Sequence, residues 1–253
     1  MAQRDDIVAF LDDYLDIAQI RDHAINGIQF EGRDDVNKVA LGVSASLELF
    51  RRAADLGSDM LIVHHGLFWS NSPREIRGVM KERLRTLFDH DITLLAYHLP
   101  LDSHREIGNN VQLAMRLGLS VEDGEFGLYN GTGLGVVATT PQPVPFDSFV
   151  RSVASALSVT PVSLATGPET VSRAGIITGG AASHIQDAIL KGLDVYVTGE
   201  TGEPTLALAR EGHINFIGLG HYNSEKYGII ALGQVIRERF GVQVEFLDIP
   251  NPF

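Results

Sequence analysis

The chain has no cysteine in 253 residues. Disulfides, thiolate nucleophiles and zinc–thiolate sites are thereby excluded. Any metal must be held by His, Asp, Glu and water, ligands that suit Mn, Fe, Zn or Mg. Basic residues are scarce, with 20 Lys and Arg against 32 Asp and Glu, a formal net charge of −12. No Lys/Arg run offsets this, so the sequence carries no nucleic-acid signature. No apolar run approaches the ~20 residues of a membrane span. The opening Met1-Ala2-Gln3-Arg4-Asp5-Asp6 lacks the apolar stretch of a signal peptide. The expectation is a cytoplasmic protein with no membrane partner. What is present is an ordinary globular balance, 44% hydrophobic and 21% charged. The length allows one large domain or two small ones with ample core.

Hydrophobic periodicity places the elements. Residues 5–17 form a helix with Ile7, Phe10, Leu11, Tyr14 and Leu15 on one stripe. Asn26-Gly27 turns into a strand. Strands follow at 38–43, 60–63 and 92–97. Helices follow them, one carrying Leu47, Phe50 and Ala54, one starting near Pro73 through Ile76 and Phe88, and one at 107–117. This β-α-β-α-β-α order implies a largely parallel sheet covered by helices. The middle is glycine-rich, then gives a strand at 134–139. Pro141, Pro143 and Pro145 lead into a helix from Phe146 to Leu157, and a further strand lies at 162–165. The first pattern then returns, with strands at 173–178, 194–198, 214–219 and 242–247, a short helix around Leu206 and Ala209, and a longer one from Tyr227 to Phe240.

Two pairs of segments repeat. Gly57-Ser58-Asp59 before the strand ending in His64 lies over Gly192-Leu193-Asp194 before the strand ending at Thr198. His90-Asp91-Ile92 opens a strand ending in His98, with Asp102 four residues on. His213-Ile214 opens a strand ending in His221, with Glu225 four residues on. Polar residues recur along with apolar ones, which points to internal duplication, with strand ends from both halves facing one cleft.

Residues at the carboxyl ends of buried strands in α/β proteins are where ligands sit. Four histidines (His64, His65, His98 and His221) and two carboxylates (Asp102 and Glu225) lie at such ends. In a chain without cysteine they suit a metal site. Neighbouring side chains on a strand diverge, so His64 and His65 either serve different ions or divide into one ligand and one packed ring. His221 and Glu225 share a face if the segment after Gly220 is helical. Two ions would activate a water and polarise a substrate oxygen.

These residues lie in stretches that resemble a known family. Asn26-Gly27-Ile28-Gln29, Ile62-Val63-His64-His65-Gly66 and Tyr97-His98-Leu99-Pro100-Leu101-Asp102 match it. So do Asp194-Val195-Tyr196-Val197-Thr198-Gly199-Glu200 and Gly220-His221-Tyr222-Asn223-Ser224-Glu225. The chain resembles the NGG-interacting-factor-three-like family, whose members are often called GTP cyclohydrolase I type 2 homologues. The resemblance implies a duplicated α/β fold, two divalent metal ions and a homohexameric ring. By position it assigns the ligands as His64, His65, Asp102, His221 and Glu225, with Glu225 bridging. His98 matches no ligand of the family and becomes a residue behind the ligands. The segment 126–171 is too short for the extra domain of larger members.

The expected architecture is therefore α/β, with mixed or largely parallel sheets in two related halves and a metal site in the cleft between them. Residues 1–125 form the first half, 126–171 a connecting segment or sheet extension, and 172–253 the second half. The expected function is a metal-dependent hydrolase of a nucleotide-like or phosphoester substrate, with Glu200 and His98 the candidates for proton transfer. The alternative is a non-catalytic ring protein that delivers metal or binds a partner. Gly179-Gly180-Ala181-Ala182-Ser183 could hold a phosphate at a helix start, but it lacks a P-loop pattern and reads first as a tight turn. Ser44-Ala45-Ser46 reads the same way. Trp69 and Phe68 could wall the cleft or stack on a ring, though aromatic residues are more often core or interface; His104 and Arg105 could meet an anionic substrate, though solvent exposure suits that pair better.

Overall fold

A computed structural model gives the fold and describes residues 1–73 and 75–253. The chain divides into two compact units, Met1–His104 with Gly228–Pro250, and Arg105–Tyr227 with Asn251–Phe253. Each has a sheet of its own, and both sheets are mixed.

The first unit holds a five-stranded sheet in the order Gln243–Phe246, Lys38–Ser44, Met60–His65, Thr93–Ala96, Gly27–Phe30. The first four run parallel, and Gly27–Phe30 closes the edge antiparallel. The strand nearest the end of the chain thus pairs with Lys38–Ser44, some 200 residues earlier. Alternation puts Leu61 and Val63 into one core with Leu49, Phe50, Ala53, Leu87 and Leu94. The helix after the first of these strands is Leu47–Asp55, capped by Ser46, whose side chain accepts from the Leu49 amide. Its buried residues are Leu49, Phe50 and Ala53. Leu47 and Ala54, expected on that face, sit at its margins. The next helix runs Val79–His90, later than the sequence suggests, because Gly78 before it takes the left-handed φ of 54° and cannot continue a helix backwards.

The second unit holds a seven-stranded sheet, ordered Val162–Leu164, Asn215–Gly218, Val195–Thr198, Thr170–Ile177, Thr132–Pro145, Ser120–Val121, with Phe126–Tyr129 also pairing on Thr132–Pro145. Only the three strands from Asn215–Gly218 to Thr170–Ile177 are mutually parallel. Successive residues feed opposite faces. Val195 and Val197 pack with Phe149, Val153 and Leu157, while Tyr196 packs with Ile185, Ala188 and Ala209. The three prolines expected before a helix lie in the strand Thr132–Pro145, and the helix Phe146–Leu157 follows at once.

The parallel triplet Lys38–Ser44, Met60–His65 and Thr93–Ala96 shares one hydrogen-bond scheme with the triplet Thr170–Ile177, Val195–Thr198 and Asn215–Gly218. The Asp59 carboxylate accepts from the amides of Asn37 and Lys38, at 2.8 and 3.0 Å. Asp194 accepts from Ser172 and Arg173, both at 2.8 Å. Each aspartate also donates its own amide to the strand it holds and accepts on its carbonyl from the next strand. Among the described residues no helix is long and apolar enough to cross a membrane.

Asp59 is buried, so Asp59→Ala strands two backbone donors. Urea denaturation is expected to show a loss of about 2–4 kcal/mol, and the same from Asp194→Ala. A loss below about 0.5 kcal/mol, the level of an ordinary surface change, would refute a register-holding role.

Candidate metal centre

In the first unit, His64 and His65 end the strand Met60–His65. His64 is fully buried and His65 partly so, as alternation requires. His64 Nδ1 lies 2.9 Å from the Tyr97 carbonyl. A carbonyl only accepts, so Nδ1 carries the proton and Nε2 is the lone-pair nitrogen of the neutral ring. That Nε2 stands 3.6 Å from Asp102 Oδ1. Asp102 ends the short helix Leu99–Asp102, whose Pro100 suits a helix start. His65 Nδ1 is 2.9 Å from Ser44 Oγ at the end of the neighbouring strand. His64 thus stands beside both Asp102 and His65, whose ring centroid lies 4.5 Å from its own.

His98 joins them. Its ring lies 5.1 Å from that of His64 and 5.6 Å from that of His65, and each of the three offers a nitrogen within 4.8 Å of the others. Asp22 holds it, at 3.0 Å from His98 Nδ1. Asp22 also accepts from the Ala24 and Leu99 amides and from Asn26 Nδ2. Burial alone would raise this carboxyl, but the hydrogen bond and charge of His98, with the Ala24 amide and Asn26, hold it well below the usual range. Asn26 Oδ1 in turn accepts from the His98 amide at 2.7 Å. Gln29 accepts from the Leu67 amide at 2.7 Å, fixing the loop after His65. Trp69 donates Nε1–H to the Gly66 carbonyl, and its ring stands edge-on to His98 at 5.0 Å.

In the second unit, the helix His221–Phe240 begins at His221 itself. His221 and Glu225 therefore fall one turn apart on one face, with His221 Nε2 at 2.9 Å from Glu225 Oε2. His221 Nδ1 lies 2.7 Å from Glu200 Oε1, so Glu200 holds the far side of the ring. Burial would lower the imidazole. The hydrogen bonds and charges of Glu225 and then Glu200 overcome this and push it up to about 9. Glycines let backbone reach this turn. Gly179 has φ of 70°, and a Cβ there would land on the Glu225 carboxylate. Its amide donates to Ser224 Oγ at 3.0 Å, and Ser224 donates to the His221 carbonyl. The Gly179-Gly180 turn thus faces Glu225 and Glu200, and two carboxylates leave no place for a phosphate.

Both groupings fit divalent cations. Imidazole nitrogens and carboxylates are the available donors. His64 and His221 each have Nδ1 on an oxygen acceptor and Nε2 towards a carboxylate, the orientation expected of metal-ligating histidines. Elsewhere, Arg105 Nη1 donates to the Gly124 carbonyl, and the His104 ring packs 4.7 Å from Tyr14. Asp22 is the residue that sequence reasoning passed over. Its only signal was a place just before Asn26-Gly27.

Residues 2–252 match the family model described as Duf34/NIF3 (NGG1p interacting factor 3). A protein of Pseudomonas aeruginosa named GTP cyclohydrolase 1 type 2 homolog is 42% identical over 246 residues, 97% of each chain. The solved structure of protein ybgI, of unknown function, superposes with a TM-score of 0.95 at 40% identity, covering 99% of this chain and 100% of that one. TTHA1606 from Thermus thermophilus gives 0.87 at 35% identity, covering 99% and 100%.

A raised His221 competes with metal. Below pH 9 a cation bound at Nε2 must expel a proton. Affinity is expected to rise about tenfold per pH unit from 6.5 towards 9 where one proton leaves, with proton release read by calorimetry in buffers of different ionisation enthalpy. In the metal-free chain the sign reverses. The imidazolium's contribution to stability is complete below its ordinary value of 6.5 and is lost as pH rises through about 9. Metal affinity flat with pH over this range would contradict the assignment.

Proposed function

Because the chain belongs to the Duf34/NIF3 family, we propose that it is a hydrolase dependent on two divalent cations, acting on a nucleotide-like or phosphoester substrate. The observation that supports this best is the pair of oriented histidines. His64 and His221 are each held at Nδ1, by Tyr97 and Glu200, with Nε2 towards Asp102 and Glu225. In this reading His64 and Asp102 would hold one ion, His65 and His221 the other, and Glu225 would serve both. Bound cations there lower the pKa of water and polarise a substrate oxygen. Glu200 orients His221. His98, with its Nδ1 on Asp22, keeps a ring nitrogen for moving a proton.

The paired roles of Asp59 and Asp194 favour descent of the two parallel triplets from one duplicated unit. A homohexameric ring accompanies this reading, and light scattering on the metal-loaded protein tests it.

Elemental analysis of the purified protein is expected to give two metals per chain. Metal-loaded protein is expected to turn over a member of a nucleotide and phosphoester panel, with Glu225→Gln abolishing turnover while circular dichroism stays unchanged. Glu200→Gln is expected to weaken metal binding by about 10–100-fold, as loss of a ligand's hydrogen-bond partner does. Activity that survives complete chelation would sink the hydrolase reading. Stoichiometric metal without turnover on any panel member would instead favour a metal-binding ring protein.

A further inference from the structure

A cavity of about 610 Å³ opens in the second unit, a size that takes one small molecule. Its floor is the chain just past the parallel strands Val195–Thr198 and Asn215–Gly218, at Gly199 to Thr201 and Leu219 to Gly220. That is the carboxyl end of parallel strands, the usual ligand position in such sheets. One wall comes from Ser158 to Thr160 and from Val162 on the antiparallel edge strand.

The lining limits the ligand. Glu200 is its one charged side chain, and among the described residues no Lys, Arg or His lines it. In a chain of net charge −12 a phosphate is repelled here. Gly199, Gly218 and Gly220 turn their Cβ directions onto protein atoms, and the aromatic residue of the lining is Phe253, against which a flat ring can stack. Val159, Val162 and Leu219 supply apolar contact. The Glu200 carboxylate accepts from His221 on Oε1, and a carboxylate has room for further donors. The hydroxyls of Thr160 and Thr201 complete a rim that suits ring nitrogens and exocyclic amines.

We propose that this cavity binds an uncharged planar heterocycle bearing N–H donors, the base-like part of a substrate, with Glu200 accepting from it beside His221. Any phosphate on the same molecule lies outside the cavity. The proposal deepens the hydrolase reading by naming the substrate class, but the binding it describes needs no cation.

Saturation-transfer NMR on the full chain, with adenosine, guanosine and inorganic phosphate as probes, tests it with chelator present and with metal added. Both nucleosides are expected to bind in either condition, and phosphate is expected not to displace them. Val162→Trp places a large side chain at a position that is 54% exposed on an edge strand. It is expected to weaken nucleoside binding at least tenfold while leaving metal content unchanged. Thr160→Trp, at an exposed loop position of the same wall, does the same and substitutes if the first variant folds poorly. Absence of nucleoside binding by the wild type, displacement by phosphate, or binding undiminished in a folded Trp variant each overturns the proposal. Loss of the metal result alone leaves it standing, so the two readings fail separately.

Discussion

Two aspartates set the geometry on which everything else rests. Asp59 and Asp194 each take two amide protons from a neighbouring strand just ahead of its parallel pairing. Parallel strands have no hairpin to fix their register, and a slip of one residue would turn every side chain to the other face. The carboxylate at the amino end removes that freedom. His64 and His65 stand at the far end of the strand that Asp59 precedes, so their placement is inherited from bonds made at its other end. Side chains carried on a rigid strand are placed more sharply than side chains on a loop.

At the far ends of the strands the chemistry changes from holding to balancing charge. Buried imidazoles and carboxylates are costly alone and tolerable in hydrogen-bonded sets. His64 takes its proton to the Tyr97 carbonyl, His98 leans on Asp22, and His221 lies between Glu200 and Glu225. Residues that read as punctuation turn out to be supports. Asn26 and Gln29 cap loops around His98 and His65, and Gly179 leaves the space that Glu225 occupies.

Much of this was legible in sequence where a local rule decides it. The strands appear because short apolar runs between glycines and aspartates have no other use. His221 and Glu225 form a pair because the helix begins at His221, and the spacing anticipated that. Errors arose where the deciding contact is distant. The helix face around Leu49 is set by the cap at Ser46 and by the core it meets, which shifts it from the face drawn through Leu47 and Ala54. Nothing local in Gln243–Phe246 says that it pairs with Lys38–Ser44. Pro141, Pro143 and Pro145 do lead into the helix Phe146–Leu157, but the strand expected to end at 139 runs on through them, because its pairing with Thr170–Ile177 shifts register between Val171 and Arg173; such irregular stretches are where a sheet accepts proline. Asp22 was invisible because its partners, His98 and Leu99, lie some 76 residues away.

The raised His221 has an electrical consequence. Between two carboxylates, an imidazolium already supplies a positive charge where the proposed cation would sit. Loading such a position is an exchange of one cation for another, with no bare pair of carboxylates to neutralise. A divalent ion that expels one proton changes the local charge by one unit instead of two.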